Sequence, residues 1–330
     1  MRITRAQLLE AARREVEARA EGDGLVAAYA IGSVVHDQAL LGGAADIDLV
    51  LVHDHAPLET REIVRLSDEV HLDIAHHDRQ RYAQPRLLRV DPWLGPAIYD
   101  PVPLYDPQHL FEWAQAAARG QFLRADHRLA RARSFLQRGR AAQASLDAAA
   151  PWIATLMRAA LAGANAIASL AGPPAAGRRV LAILENAAAA AGCPEAHAGL
   201  LRLVGLDASG PHDFADWVAS WARTFDVAAP LSTDPALQPE RRDYYLRGFQ
   251  AWLEAGQPHN VLHPMLSLWE RSLTTLTDFA AAEEHLPAWK AATAALGLSA
   301  DAAPQRFLEL DAYLDHLETF LEHWSARHGA

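Results

Sequence analysis

Two aspartates, Asp46 and Asp48, lie inside the apolar run DIDLVLVH at residues 46–53. A buried carboxylate is unfavourable unless it is paired with a cation or binds a metal. In a β-strand, residues i and i+2 point to the same face, so these two carboxylates project together. A third aspartate, Asp73, lies in the next strongly apolar run, VHLDIAHH at 70–77. If the two runs form neighbouring strands, three carboxylates converge. Aspartates at the solvated edge of a strand are the alternative, which the apolar context of each residue disfavours.

Three converging carboxylates cannot all stay ionised without cations. Mg²⁺ suits them because it takes oxygen ligands and completes its shell with water and substrate phosphates. Two such ions about 4 Å apart can hold the attacking and leaving oxygens of a phosphoryl displacement.

Gly32 ends the upstream apolar run LVAAYAIG at 25–32, and Ser33 follows it directly. Glycine lets the backbone approach a phosphate, and backbone N–H groups and a serine hydroxyl can donate to it. Phosphate donors beside metal ligands favour nucleotidyl transfer.

This ordered set of motifs resembles the nucleotidyltransferase head of the DNA polymerase β superfamily. Members of that family carry a Gly-Ser turn, an Asp-x-Asp or Asp-x-Glu pair, and a third acidic residue on a later strand. The small branch that includes the aminoglycoside nucleotidyltransferases combines such a head with a helical C-terminal domain. The resemblance covers roughly the first third of the chain. The chain departs from the family at His36-Asp37, where an Arg-Gly pair often follows the Gly-Ser turn.

The resemblance implies a role for five residues of the head. It makes Asp46, Asp48 and Asp73 the metal ligands and catalytic carboxylates, and Gly32 and Ser33 the nucleotide-binding residues. The implied reaction transfers a nucleoside monophosphate, in the first instance AMP from ATP, to a hydroxyl of a small-molecule acceptor. Two Mg²⁺ ions would assist, and pyrophosphate would leave. An aminoglycoside-like cation is one such acceptor, with which the net charge is compatible.

Three residues of the later helical sequence are further candidates for this reaction. Glu185 is a candidate general base, and Arg178 and Arg179 are candidates for binding triphosphate oxygens. A solvated helix face explains all three equally well. Near the carboxylates, His71 shares a strand face with Asp73. A zinc site at His53 and His55 is disfavoured because no cysteine supports it.

The elements that must position these residues change character along the chain. Thr4 and Gln7 have the spacing of a capping box and predict a first helix to about residue 20. Strands are predicted at 25–32, 46–53, 62–67 and 70–77, with a hairpin between the last two, and a short strand near 103–105. A short helix is predicted over 79–90, and from about residue 108 the pattern is helical. We therefore predict an α+β fold, with a mixed sheet flanked by helices in a catalytic domain at 1–110. An all-α helical bundle at 111–330 would form the acceptor side of the cleft.

Length, charge and cysteine content limit the classes of function. The chain has 330 residues, a formal net charge of −11 and one cysteine, Cys193. The acidic balance disfavours general nucleic-acid binding, which needs a basic surface. No apolar run is long enough to span a membrane, so we expect no membrane association and a cytoplasmic location. A protein-modifying nucleotidyltransferase of the toxin–antitoxin kind and an inactive nucleotide-binding protein remain alternatives, as do a monomer and a homodimer.

Overall fold

The computed structural model describes residues 3–22, 24–36, 39–206, 212–279 and 281–330. The chain forms two compact units. The first unit contains Met1–Leu123 together with Glu240–Ala251, and the second contains Arg124–Pro239 together with Trp252–Ala330. A mixed sheet near the N-terminus is followed by a largely helical chain, which confirms the predicted α+β class.

The first unit is built on a single five-stranded sheet. Its strands are β1 (Leu25–Ile31), β2 (Ala45–His53), β3 (Arg61–Arg65), β4 (Val70–Asp78) and β5 (Val102–Tyr105). Their order across the sheet is β3-β4-β2-β1-β5. The central strands β2 and β4 are parallel, whereas the other neighbouring pairs are antiparallel. The predicted hairpin is present: β3 returns into β4, and Leu66 and Ser67 both donate backbone hydrogen bonds to Val70.

Both faces of this sheet are covered, since eight of the nine residues of β2 are buried. The first helix, α1 (Arg5–Arg19), packs on the face that carries Ile47 and Leu49. The opposite face carries Val50 and Val52 and is covered by three short helices. These are α2 (Pro85–Leu88), α3 (Leu94–Tyr99) and α4 (Leu110–Arg119).

Two boundaries differ from the predicted ones. The helical region was expected to begin at residue 111, but α4 belongs to the first unit. The reason is that Phe111 of α4 stacks on Tyr29 of β1, with 4.3 Å between the ring centroids. The helix expected over 79–90 is divided into a 3₁₀ turn at Arg79–Tyr82 and the short α2. The division falls at Pro85, which starts α2 and favours an extended residue before it.

The remainder of the chain is helical, with no further β-strand among the described residues. Its helices are α5 (Ala125–Ala144), α6 (Ile153–Ala168), α7 (Val180–Ala191), α8 (Glu195–Leu203), α9 (Phe214–Ala228), α10 (Arg242–Glu254), α11 (Leu262–Leu276), α12 (Ala282–Ala295) and α13 (Ala303–His328). Most of α10 belongs to the first unit, because Glu240–Ala251 packs there. Among the described residues, no helix is both long enough and apolar enough to cross a membrane.

Candidate metal and nucleotide site

The parallel pairing of β2 and β4 brings the three predicted carboxylates together. In this register Asp48 lies opposite Asp73, and Asp46 lies opposite His71. Side chains at matched positions of adjacent parallel strands point to the same face. Asp46, Asp48 and Asp73 each place a carboxylate oxygen within 4.8 Å of the others. Asp46 and Asp73 are buried, and Asp48 is partly exposed.

Two arginines also lie in this cluster, and neither was predicted from the sequence. Arg61 of β3 donates from Nε to Asp73 Oδ1 at 2.6 Å and from Nη2 to Asp73 Oδ2. Arg241, just before α10, donates from Nη2 to the same Oδ2. Its Nη1 lies 3.8 Å from Asp46 Oδ2. Bidentate arginine–carboxylate pairs are strong, directional contacts, so Asp73 is held from two sides.

The pKa of Asp48 and the pKa of Asp73 are shifted in opposite directions by their surroundings. Burial raises the pKa of Asp48 well above its ordinary value, and the nearby carboxylates of Asp46 and Asp73 raise it further. Burial acts on Asp73 in the same direction. There, however, the hydrogen bonds and charges of Arg61 and Arg241 outweigh burial and hold the pKa below its ordinary value. Asp73 is therefore a stable anion, whereas Asp48 needs another cation to become one.

The Gly-Ser turn lies against Asp48. Gly32 begins a 3₁₀ turn, Gly32–Val35, and has φ of +71°, a left-handed conformation that favours glycine. A Cβ on Gly32 would lie 2.1 Å from Asp48 Oδ2, so a side chain there would collide with the carboxylate. Gly32 is exposed and Ser33 is partly exposed. Arg5 of α1 fixes the turn through hydrogen bonds of 2.9 Å to the carbonyl oxygens of Val34 and Val35.

The connection after this turn is only partly described. His36 is exposed, while Asp37, the second residue of the departure from the family pattern, lies outside the described residues. Further along, Gly42 has φ of +62° and lies against the backbone of Arg247. An added Cβ at Gly42 would come within 2.1 Å of the Arg247 carbonyl oxygen. The connection is therefore packed against the segment Glu240–Ala251.

The histidines of the sheet form two separate arrangements. His71 Nε2 lies 3.2 Å from Asp46 Oδ1, so His71 borders the carboxylate cluster, as its shared face with Asp73 predicted. Farther along the strands, His53 Nε2 and His76 Nδ1 are 2.9 Å apart, and His76 Nε2 lies 3.4 Å from Glu62. Burial and the neighbouring His53 lower the pKa of His76. His53 and His55 do not belong to any group of three closely spaced metal ligands among the described residues.

The ligand set suits a hard divalent cation. All three side chains offer carboxylate oxygen, the atom that Mg²⁺ prefers, and the cluster borders an exposed glycine turn. Within the described part of the chain, one other group of three possible ligands is equally compact. It consists of Cys193, Glu195 and His316, and burial raises the pKa of the Cys193 thiol to about 11. A thiol and an imidazole are not the oxygen ligands that Mg²⁺ prefers, so for this ion the three aspartates form the better site.

The three candidates from the helical sequence belong to the second unit. Glu185 is exposed on α7; burial lowers the pKa of the nearby His197, and the charge of Glu185 opposes this shift only in part. Arg178 is buried, and its carbonyl oxygen accepts a hydrogen bond of 3.0 Å from Trp252 Nε1. Arg179 is partly exposed at the start of α7. A catalytic role for these residues stays a prediction.

Sequence reasoning missed the two arginines for different reasons. Arg61 lies at the start of β3, but the predicted strand began at residue 62, and in the observed register Ile63 rather than Arg61 lies opposite Asp73. Arg241 is 168 residues from Asp73. Its signal is the run PERRDYYLRGF at 239–249, in which charge clusters within an otherwise apolar helical sequence. That signal does not specify which part of the chain the run contacts.

Comparison with known proteins supplies no family for this chain. No family model matches the sequence, and no curated protein matches it at a significant level. The function is therefore inferred from the site itself.

Proposed function

We propose that this protein is a magnesium-dependent nucleotidyltransferase, with its catalytic head in the first unit. One observation carries the proposal: three aspartates from two parallel strands converge beside an exposed Gly-Ser turn. This is the combination of metal ligands and phosphate donors that the resemblance to the DNA polymerase β superfamily implies. The helical chain that follows would correspond to the helical domain of the aminoglycoside-nucleotidyltransferase branch.

Each element of the site has a distinct task in this reaction. Asp46 and Asp48 would hold Mg²⁺, which supplies charge neutralisation for the phosphates and polarises the α-phosphorus. Gly32 and Ser33 would donate backbone and hydroxyl hydrogen bonds to phosphate oxygens, since Gly32 has no side chain to obstruct them. The acceptor hydroxyl oxygen forms a bond to the α-phosphorus of ATP or another NTP. The bond from that phosphorus to the β-phosphate oxygen breaks, and pyrophosphate leaves.

The contacts of Asp73 support an orienting role for this residue. A general base works best with a pKa near the operating pH, and the two guanidiniums hold the pKa of Asp73 below its ordinary value. Asp73 therefore positions Arg61 and Arg241, or a metal, rather than accepting the proton of the hydroxyl. Glu185 stays the predicted proton acceptor.

The acceptor is best sought among hydroxyl-bearing cations. The formal net charge of −11 raises the local concentration of cationic molecules at the protein surface. An aminoglycoside-like polyamine alcohol fits this electrostatic preference.

Calorimetric titration of ATP, with and without Mg²⁺, tests the proposal. The wild-type chain should bind ATP only with Mg²⁺, and Asp48→Asn should lose that binding because one ligand charge is removed. Asp68→Asn is the matched control, since Asp68 is an exposed aspartate in the β3–β4 turn that pairs with Arg65. It should bind as the wild type does. A screen of cationic alcohols for pyrophosphate release then identifies the acceptor.

Absence of metal-dependent ATP binding in the wild type, both alone and with candidate acceptors present, would contradict the proposal. Equal binding by the wild type and Asp48→Asn would show that nucleotide binds elsewhere.

The arginines favour one second candidate, an inactive nucleotide-binding protein. Arg61 and Arg241 already supply two positive charges to the three carboxylates, so part of the need for a metal is met within the chain. In that case ATP would bind without requiring Mg²⁺, and no acceptor would give pyrophosphate release.

A further inference from the structure

We infer that Arg241 is an exchangeable counter-ion of the carboxylate cluster, which a divalent cation must displace in order to bind. The inference rests on the proposed metal site and concerns its regulation by the segment Glu240–Ala251. Without metal, the guanidinium neutralises Asp46 and Asp73. With metal, it leaves those oxygens.

The contacts of Arg241 place it where a cation would bind. Its Nη2 donates to Asp73 Oδ2, and its Nη1 lies 3.8 Å from Asp46 Oδ2. Two of the three predicted metal ligands therefore face the same guanidinium. A cation bound to these oxygens and the guanidinium cannot occupy one position, and their like charges repel strongly at such short range.

Burial makes Arg241 a more effective competitor than Arg61. The Arg241 side chain is 6% exposed, whereas the Arg61 side chain is 50% exposed and, among the described residues, forms its ion pair with Asp73 alone. A buried ion pair is screened far less by water and salt than an exposed one. Removing Arg241 should therefore change the cation affinity of the cluster more than removing Arg61.

The surroundings of Arg241 do not satisfy all of its hydrogen-bond donors, which is consistent with exchange. Nη1 of Arg241 donates to the Tyr245 hydroxyl at 3.2 Å, but the buried Nε has no hydrogen-bond partner among the described residues. Buried polar groups in a permanent structural contact are almost always satisfied. An unsatisfied donor lowers the free energy needed to move the guanidinium away.

The segment that carries Arg241 is attached to the head on both sides of the cluster. The rings of Tyr244 and His71 make a T-shaped contact, with 4.8 Å between centroids, and His71 borders Asp46. The backbone of Arg247 lies against Gly42, in the connection between the Gly-Ser turn and β2. Movement of Arg241 would therefore also shift the connection between the Gly-Ser turn and β2, the strand that carries Asp46 and Asp48.

Binding of Mn²⁺, a paramagnetic substitute for Mg²⁺, tests the exchange without nucleotide. Free Mn²⁺ is measured by electron paramagnetic resonance during titration of four proteins: the wild type, Arg241→Gln, Arg61→Gln and Arg247→Gln. We expect Arg241→Gln to bind Mn²⁺ about tenfold more tightly, because a competing charge is lost. Arg61→Gln should show a smaller gain. Arg247→Gln, which loses only a surface contact of 3.7 Å to Glu69, should match the wild type.

Weaker or unchanged Mn²⁺ binding by folded Arg241→Gln would overturn the inference, because Arg241 would then be a structural support. Absence of binding in every folded variant would overturn it as well.

If Arg241→Gln does not fold, hydrogen exchange of the wild type tests the displacement of Arg241 instead. Amides in 240–251 should exchange faster with Mn²⁺ than without it, and unchanged or slower exchange would refute displacement. Tighter Mn²⁺ binding without pyrophosphate release by any variant would leave this inference intact while rejecting the proposed enzyme activity.

Discussion

The contact between Gly32 and Asp48 restricts which residue can occupy position 32. Gly32 combines a left-handed backbone with a carboxylate oxygen in the space that a side chain would fill. Either feature alone favours glycine, but only the second links the turn to the three aspartates of the candidate site. Any residue other than glycine would force Asp48 out of its position.

Substitution of Gly32 by alanine should therefore affect both stability and metal binding. Gly43 is the matched control, since its φ of +75° is similar and a Cβ there would meet no atom within 4 Å. Gly43→Ala should cost about 1 kcal/mol of unfolding free energy from backbone strain alone. Gly32→Ala should cost more and should weaken Mn²⁺ binding, as measured by urea unfolding and paramagnetic resonance. Equal effects of the two substitutions would show that Asp48 moves aside freely.

The three aspartates were predictable because strand geometry alone decides which way they point. Asp46 and Asp48 are two residues apart, and Asp73 lies at a similar position in the next apolar run. Arg241 was not predictable, because no periodicity connects it with a strand 168 residues earlier. The sequence therefore indicated the anions of the site but not the cations that neutralise them.

The strands were predicted more accurately than the short helices. Continuous apolar runs mark β1, β2 and β4, and these strands end within a residue or two of the expected positions. The predicted hairpin and the expected convergence of the aspartates together place β4 between β2 and β3, whereas the position of β5 beside β1 was not predicted. The position of α4 also depends on a tertiary contact, the packing of Phe111 on Tyr29.

In the second unit, the start of α6 depends on a buried glutamate of α11. Glu270 accepts a hydrogen bond of 3.2 Å from the backbone N–H of Ile153 and another from that of Ala154. The first N–H groups of a helix have no partner within the helix. Burial raises the pKa of Glu270, although these two donors oppose the shift.

Glu270→Ala should destabilise the protein by about 1–3 kcal/mol, because two buried backbone donors lose their acceptor. Glu270→Gln keeps one carboxamide oxygen and should retain part of the stability. Urea unfolding followed by circular dichroism measures both. If Glu270→Ala were as stable as the wild type, the helix start would have to be capped in another way.

A half-buried histidine in the first unit and a buried histidine in the second should make the whole molecule sensitive to mild acid. Burial lowers the pKa of His77, in the first unit, and of His263, in the second, to about 4 in each case. Unfolding restores each to an ordinary value near 6.5. Between these values the unfolded chain binds more protons, so the stability present above pH 6.5 is lost as the pH falls towards 4.

His263→Phe should remove the part of this sensitivity that belongs to the second unit. For His263 alone, lowering the pH from 7 to 5 should reduce the unfolding free energy by about 2 kcal/mol. Urea unfolding at the two pH values should show a smaller decrease for the variant than for the wild type. An identical decrease would mean that His263 is not the titrating group.

The return of Glu240–Ala251 to the first unit affects how the protein is made. The first unit is still incomplete when its last strand, β5, has been synthesised, because it also needs the segment Glu240–Ala251. Arg241 in that segment follows Asp73 by 168 residues. At synthesis rates of about 5–20 residues per second, roughly 10–30 seconds separate the synthesis of the two residues. During that interval the aspartates have no Arg241 and must remain hydrated or attract cations from solution. Nascent chains paused before residue 240 should therefore carry a head that is less stable, and more dependent on divalent cations, than the released protein.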